Sequence, residues 1–128
     1  DMNINDTLNF HKKHGKLMTM TSAKPDSRFG LLNIDENNKV LQFQEKPQIK
    51  DSWVNAGYFI CEPEVFDYIG DDEDVVLEQE PIKNLVKDEQ IHTYKHNGFW
   101  MPMDNLRDKI KLNKIYKSQN APWMVWHD

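Results

Sequence analysis

Between Leu31 and Phe43 the chain reads Leu-Leu-Asn-Ile-Asp, then Glu36-Asn37-Asn38, then Lys-Val-Leu-Gln-Phe. Two short extended runs separated by residues that tolerate left-handed backbone predict a β-hairpin. A hairpin ties its strands antiparallel, whereas parallel neighbours need a crossover of a dozen residues or more. An all-parallel sheet is therefore excluded. Pro47 carries no N–H and has a fixed φ, so the second strand stops there and leaves Glu45 and Lys46 at its rim.

The remaining segments mix helix and strand. Asn5 or Asp6 is expected to cap a helix through His14, with Gly15 as its stop signal, and a strand follows over Lys16 to Thr21. Trp53 to Cys61 reads as a strand, and Pro63 as the first turn of a helix through Ile69. The run Gly70-Asp71-Asp72-Glu73-Asp74 lacks the spacing of a calcium loop and reads as a solvated turn. A helix through Lys87 with Pro81 near its first turn, a strand from Gln90 to Lys95, and a helix from Leu106 to Tyr116 complete the pattern. The expectation is a single α/β domain over residues 1–128, built on a mixed sheet with helices.

A net charge of −5 and a pI near 5.5 argue against a nucleic-acid surface, which needs clustered Lys and Arg. No run approaches the roughly 20 apolar residues of a membrane span, and the first residues have neither a basic nor an apolar leader region, so a soluble, cytoplasmic protein without a membrane partner is expected. Cys61 is the sole cysteine and lies in Phe59-Ile60-Cys61, where it reads as a buried small apolar residue. No disulfide can form within the chain.

The chain has no glycine-rich phosphate loop, no Cys-x-x-Cys, no His-Glu-x-x-His and no Gly-x-Ser-x-Gly. His11 and His14 lie three apart on a polar helix face and read as surface histidines, not ligands. Four places remain open between a structural and a functional role. Glu45-Lys46 is either a surface ion pair or a rim that meets hydroxyls and phosphate. Gly30, in Arg28-Phe29-Gly30, is either part of a turn or a point of close ligand approach. Asn55-Ala56-Gly57 is either a packing concession or an opening in the strand. Asp104 is either a helix N-cap or a ligand for a magnesium ion.

The order of these motifs resembles a known family. Arg28-Phe29-Gly30, Phe43 to Pro47, Trp53 to Phe59, Glu78-Gln79-Glu80-Pro81, His96-Asn97-Gly98-Phe99-Trp100, Met103 to Asp108 and Ala121-Pro122-Trp123 closely resemble the C-terminal half of the glucose-1-phosphate cytidylyltransferases. These are sugar-phosphate nucleotidyltransferases of bacterial surface-polysaccharide (O-antigen) pathways. Glu45-Lys46-Pro47 alone marks the wider superfamily; the other motifs together point to the cytidylyltransferase branch. The resemblance implies a Rossmann-like nucleotide-diphospho-sugar transferase fold. It also implies that CTP and α-D-glucose 1-phosphate are converted to CDP-glucose and pyrophosphate, with Mg2+ as cofactor.

Carried over by residue, the resemblance implies that Lys46 contacts the sugar phosphate and Glu45 the glucose hydroxyls. Gly30, Asn55 and Gly57 would shape that pocket, and Asp104 would be one of two magnesium-binding aspartates. Trp100 and Arg28 are implied only as structural or ligand-contacting. The family's nucleotide-binding half, with its glycine-rich loop and first metal aspartate, has no counterpart in these 128 residues, so the chain alone is expected not to turn over CTP. Bare strand edges and C-terminal tryptophans favour association, and a homo-oligomer is expected. A non-catalytic interaction module or a sugar-phosphate-binding module is the competing expectation.

Overall fold

The computed structural model describes residues 1–25, 31–44 and 52–125. The element order is α1 (Ile4–His14), β1 (Met18–Ala23), β2 (Leu31–Ile34), β3 (Val40–Gln44), β4 (Val54–Cys61), α2 (Val65–Ile69), α3 (Glu80–Lys87), β5 (Ile91–His96) and α4 (Leu106–Lys117). Among the described residues the strands form a three-stranded sheet, β4-β1-β5, and a separate two-stranded sheet, β2-β3. β1 is central, antiparallel to β4 and parallel to β5, so the main sheet is mixed. The hairpin forms as the sequence indicates, with Leu31 opposite Gln44 and Leu32 opposite Phe43. It stands apart from the main sheet, and its strand β3 is exposed along its whole length.

The helix boundaries follow local chemistry. Asn3, not Asn5 or Asp6, caps α1: its backbone is extended, and its side-chain oxygen accepts from the N–H groups of Asn5 at 3.0 Å and Asp6 at 3.2 Å. Gly15 ends the helix at φ 65°, donating its N–H to the His11 carbonyl. Pro81 sits in the first turn of α3, where a missing N–H costs nothing.

The core lies on one face of β1. Met18, Val65 and Leu85 are buried together, and Leu17, Phe59, Tyr68, Ile69, Leu77, Ile82 and Ile91 pack around them. This joins α2 and α3 to the sheet. The next residue along β1, Thr19, points the other way and meets α1, as strand alternation requires.

That second face is polar. His11 is buried, with Nδ1 2.7 Å from Thr19 Oγ1 and Nε2 3.1 Å from Glu62 Oε1. His14 Nε2 lies 2.6 Å from the same Thr19 oxygen, while its Nδ1 accepts the Lys16 N–H at 2.9 Å. The chain of bonds closes in one way with neutral rings. Because Lys16 donates to His14 Nδ1, the His14 proton is on Nε2 and is donated to Thr19. Thr19 then donates its hydroxyl proton to His11 Nδ1, and His11 Nε2–H is donated to Glu62. His14 also stacks on His92 at 4.5 Å, and Phe10 meets the edge of Tyr94 at 5.6 Å. The surface reading of His11 is thus corrected: the helix turns this residue onto Thr19. Cys61 is also corrected, since it is exposed, on edge strand β4.

Candidate functional site

The site begins with a fault in the β1–β4 ladder. Register passes from Met20 opposite Phe59 to Ser22 opposite Asn55, four steps along β4 against two along β1. The surplus residues form a bulge around Ala56-Gly57-Tyr58. Gly57 takes φ +83°, with nothing within 4 Å of where a Cβ would be, so glycine is present here for its dihedral. Asn55 Oδ1 accepts the Gly57 N–H at 2.8 Å, which orients the carboxamide and keeps its NH2 for other partners. The small residues read from the sequence therefore build a re-aimed strand.

The bulge forms one wall of a cleft of about 1120 Å³, together with Thr21 on β1 and His96 at the end of β5. Phe99, Trp100, Met101 and Pro102 supply another wall, ending at Asp104. Trp100 Nε1–H donates to the Ala56 carbonyl at 3.3 Å and so joins the two walls. Trp123 closes one side of the cleft, its ring 5.4 Å from that of Phe99, which gives the C-terminal aromatic segment a docking place.

Asp104 is exposed and does not cap α4. That role belongs to Asn105, whose side chain accepts the Asp108 N–H at 2.9 Å, while Asp108 Oδ2 reaches back to the Asp104 N–H at 3.3 Å. This is a reciprocal cap, shifted one residue from the sequence expectation. Its effect is to fix the Asp104 backbone and leave the carboxylate facing the cleft without a partner among the described residues.

A second acidic group was not singled out from sequence. Asp1 Oδ1 lies 3.0 Å from His96 Nε2, which is also 3.0 Å from the Phe99 carbonyl. Gly98 makes room for it: a Cβ there would fall 2.5 Å from Asp1 Oδ1. The signal available in the sequence was strand alternation, which sets His92, Tyr94 and His96 on one face of β5. Outside the cleft, burial and the neighbouring His92 and His11 hold the His14 pKa below its ordinary value of 6.5, and partial desolvation on the β4 edge pushes the Cys61 thiol up although the residue is exposed.

Of the residues chosen from sequence, Asn55, Gly57 and Asp104 line this one cleft. Glu45, Lys46, Gly30 and Arg28 lie outside the described residues. Among the described residues no group of three or more His, Cys, Asp or Glu side chains is arranged to hold a metal ion. Among them, too, no helix is long and apolar enough to cross a membrane.

A protein-family model described as "Nucleotidyl transferase" matches residues 1–119. The chain belongs to that family. It is 41% identical to a glucose-1-phosphate cytidylyltransferase of Salmonella typhi over 98% of its own length and 48% of the relative's. A mannose-1-phosphate guanyltransferase of Saccharomyces cerevisiae is 32% identical over 91% of the chain and 33% of that protein. The chain thus spans about half the length, or less, of these curated relatives. A crystal structure assigned as a glucose-1-phosphate thymidylyltransferase of Bacillus anthracis superposes with a TM-score of 0.62, covering 100% of this chain and 52% of that one at 18% identity. At that identity the likeness shows a shared fold, a mixed α/β nucleotidyl transferase architecture.

Proposed function

We propose that these residues carry the sugar-phosphate side of a nucleotidyl transferase site whose complete form joins CTP and α-D-glucose 1-phosphate into CDP-glucose and pyrophosphate. The observation that carries this reading is the convergence of Asn55, Gly57 and Asp104, chosen from sequence, on one cleft. Glucose 1-phosphate is preferred over mannose 1-phosphate because the cytidylyltransferase relative is the more similar, at 41% identity against 32%.

In this reading Lys46 pairs with the sugar phosphate as a point charge, and Glu45 accepts hydrogen bonds from the hexose hydroxyls. Gly30, Asn55 and Gly57 shape the sugar pocket, with Asn55 offering its NH2 to a ligand oxygen. The sugar phosphate attacks the α-phosphorus of CTP in line, so the protein contributes chiefly orientation and charge stabilisation. Asp104 would hold Mg2+. Its open carboxylate fits an ion that commonly takes one or two carboxylates and completes its shell with phosphate oxygens and water. When bound, the ion would neutralise charge developing on the phosphates.

The 128 residues alone are expected not to turn over CTP, because no glycine-rich phosphate loop is among them. A soluble, cytoplasmic setting belongs to the same proposal, supported by the nucleotide and sugar-phosphate substrates of the family. Calorimetric titration with glucose 1-phosphate, with mannose 1-phosphate in parallel, tests the site. Saturable binding of the glucose ester that Lys46→Ala weakens at least tenfold is expected; equal binding by Lys46→Ala removes the assignment. Robust CDP-glucose synthesis by the isolated chain would overturn the statement on turnover.

A second reading, assembly into a homo-oligomer or with a complementary chain, is favoured by the exposed apolar side chains Leu32, Ile34, Val40, Leu41 and Phe43 on the hairpin. Light scattering tests it: a monomer at high concentration removes the homo-oligomer.

A further inference from the structure

We propose that Trp100 is a positioning residue for the sugar ester: its indole N–H holds the Ala56 carbonyl, and through it the Asn55–Gly57 bulge, at a fixed separation from Asp104. This rests on the sugar-phosphate reading of the cleft and deepens it.

The register jump leaves Ala56 without an opposed residue on β1, and among the described residues β4 is an edge strand with no other strand beside it. Ala56 is nevertheless buried. The carbonyl of a buried residue in a broken ladder lacks its usual strand donor, and Trp100 Nε1–H supplies one at 3.3 Å. The bulge thus has two locks. The inner one is Asn55 Oδ1 on the Gly57 N–H, which sets the dihedral at Gly57. The outer one is Trp100, and it comes from the segment that ends in Asp104.

The outer lock therefore connects a wall that would meet the sugar to a wall that would meet the phosphate-bound cation. Each wall is otherwise anchored separately: the bulge to β1, and Asp104 to the cap of α4 through Asp108. A ligand spanning both is sensitive to their separation, and a misplacement near 1 Å can cost about a hundredfold in a positioned reaction. Phenylalanine at position 100 would retain the apolar ring in the cleft and remove only the donor.

The test uses the whole chain. Glucose 1-phosphate affinity is measured by calorimetry for wild type, Trp100→Phe and Trp100→His, alongside the melting temperature and amide hydrogen exchange at Gly57. Inorganic phosphate serves as the sugar-free probe. The expected result for Trp100→Phe is about a tenfold loss of affinity for glucose 1-phosphate, the size of one hydrogen bond. Phosphate affinity should be unchanged, Gly57 exchange faster and the melting temperature lower by only a few degrees, as one orphaned carbonyl requires. Histidine, which keeps a ring N–H, should recover part of the loss.

If wild type binds no glucose 1-phosphate, the reading of the cleft falls and the positioning role falls with it. If wild type binds and Trp100→Phe binds equally well, or loses glucose ester and phosphate alike with its melting temperature, Trp100 is only structural and this inference alone falls. Should Trp100→Phe not fold, the wild-type indole resonance decides the matter. Protection of the Trp100 Nε1–H that increases with glucose 1-phosphate supports the proposal, and an unprotected indole overturns it.

Discussion

Met18 and Thr19 are neighbours on β1, both are wholly buried, and they hold the sheet to its helices by opposite means. Met18 meets Leu85 and Val65 in an apolar cluster, where the driving force scales with area removed from water and depends little on direction or pH. Thr19 joins two histidines through one hydroxyl, where every proton has an assigned position. One face tolerates rearrangement of shape; the other tolerates none of polarity. The helix α1, which lies beside the cleft, is thus attached by the face more sensitive to solution conditions.

The largest effect is expected on the apolar face. Leu85→Ala should lower unfolding free energy by about 2–5 kcal/mol, through lost transfer energy and the cavity left behind. Urea melts check this, and a loss under about 1 kcal/mol would place the true core elsewhere. Thr19→Val keeps the volume and removes the shared hydroxyl, leaving His11 Nδ1 and His14 Nε2 without their partner. A loss of about 1–3 kcal/mol is expected. If the same melt shows no loss, the polar face contributes nothing and the contrast collapses.

Gly57→Ala should cost about 1–2 kcal/mol from the dihedral alone, since no atom lies within 4 Å of the added methyl. It should also weaken glucose 1-phosphate binding, whereas a substitution on the apolar face should alter binding only as far as it unfolds the chain.

The pH response separates the two faces further. His14 has a folded pKa below its ordinary 6.5, so the unfolded chain binds more protons in the interval between the two values. Stability is therefore complete above pH 6.5 and is lost as pH falls through the folded pKa. Protonation also puts a hydrogen on Nδ1, where the Lys16 N–H already donates. Melts at pH 7.5 and below 6 should differ in wild type and differ less in His14→Gln; equal slopes would remove His14 as the cause. The smallest effect is expected at Phe43→Ser on the exposed hairpin, within about 0.5 kcal/mol, unless an assembly covers that surface.

Much of the fold was legible in sequence because the signals were local. Asn37-Asn38 marked the hairpin turn, Gly15 the end of α1, and the order of apolar runs marked each of the strands among the described residues. The pairing of β1 with β4 and β5, and the isolation of the hairpin from that sheet, were not legible, because they depend on which surfaces meet across long separations. The histidines misled for the same reason. His11 and His14 sit among lysines and read as solvated, and only the approach of Thr19 on β1 and Glu62 just past the end of β4 gives them partners. In the cleft, Asn55 and Gly57 were found as small residues at a strand start, but the bulge that joins them required the register. Asp104 was left between helix cap and magnesium ligand, and the cap falls instead to Asn105, since the two residues are equally good caps by type.

Gly98 differs from Gly57 in why it is glycine, and the difference offers a lever on the cleft. A methyl at position 98 would meet the Asp1 carboxylate and the His96 ring, both side-chain atoms that can rotate aside. The methyl itself carries no charge and contributes no ligand group. By displacing Asp1 from His96 it would nonetheless take a negative group out of the cavity and leave an imidazole in its place, so that a purely steric change would be felt by an incoming phosphate as a shift in potential.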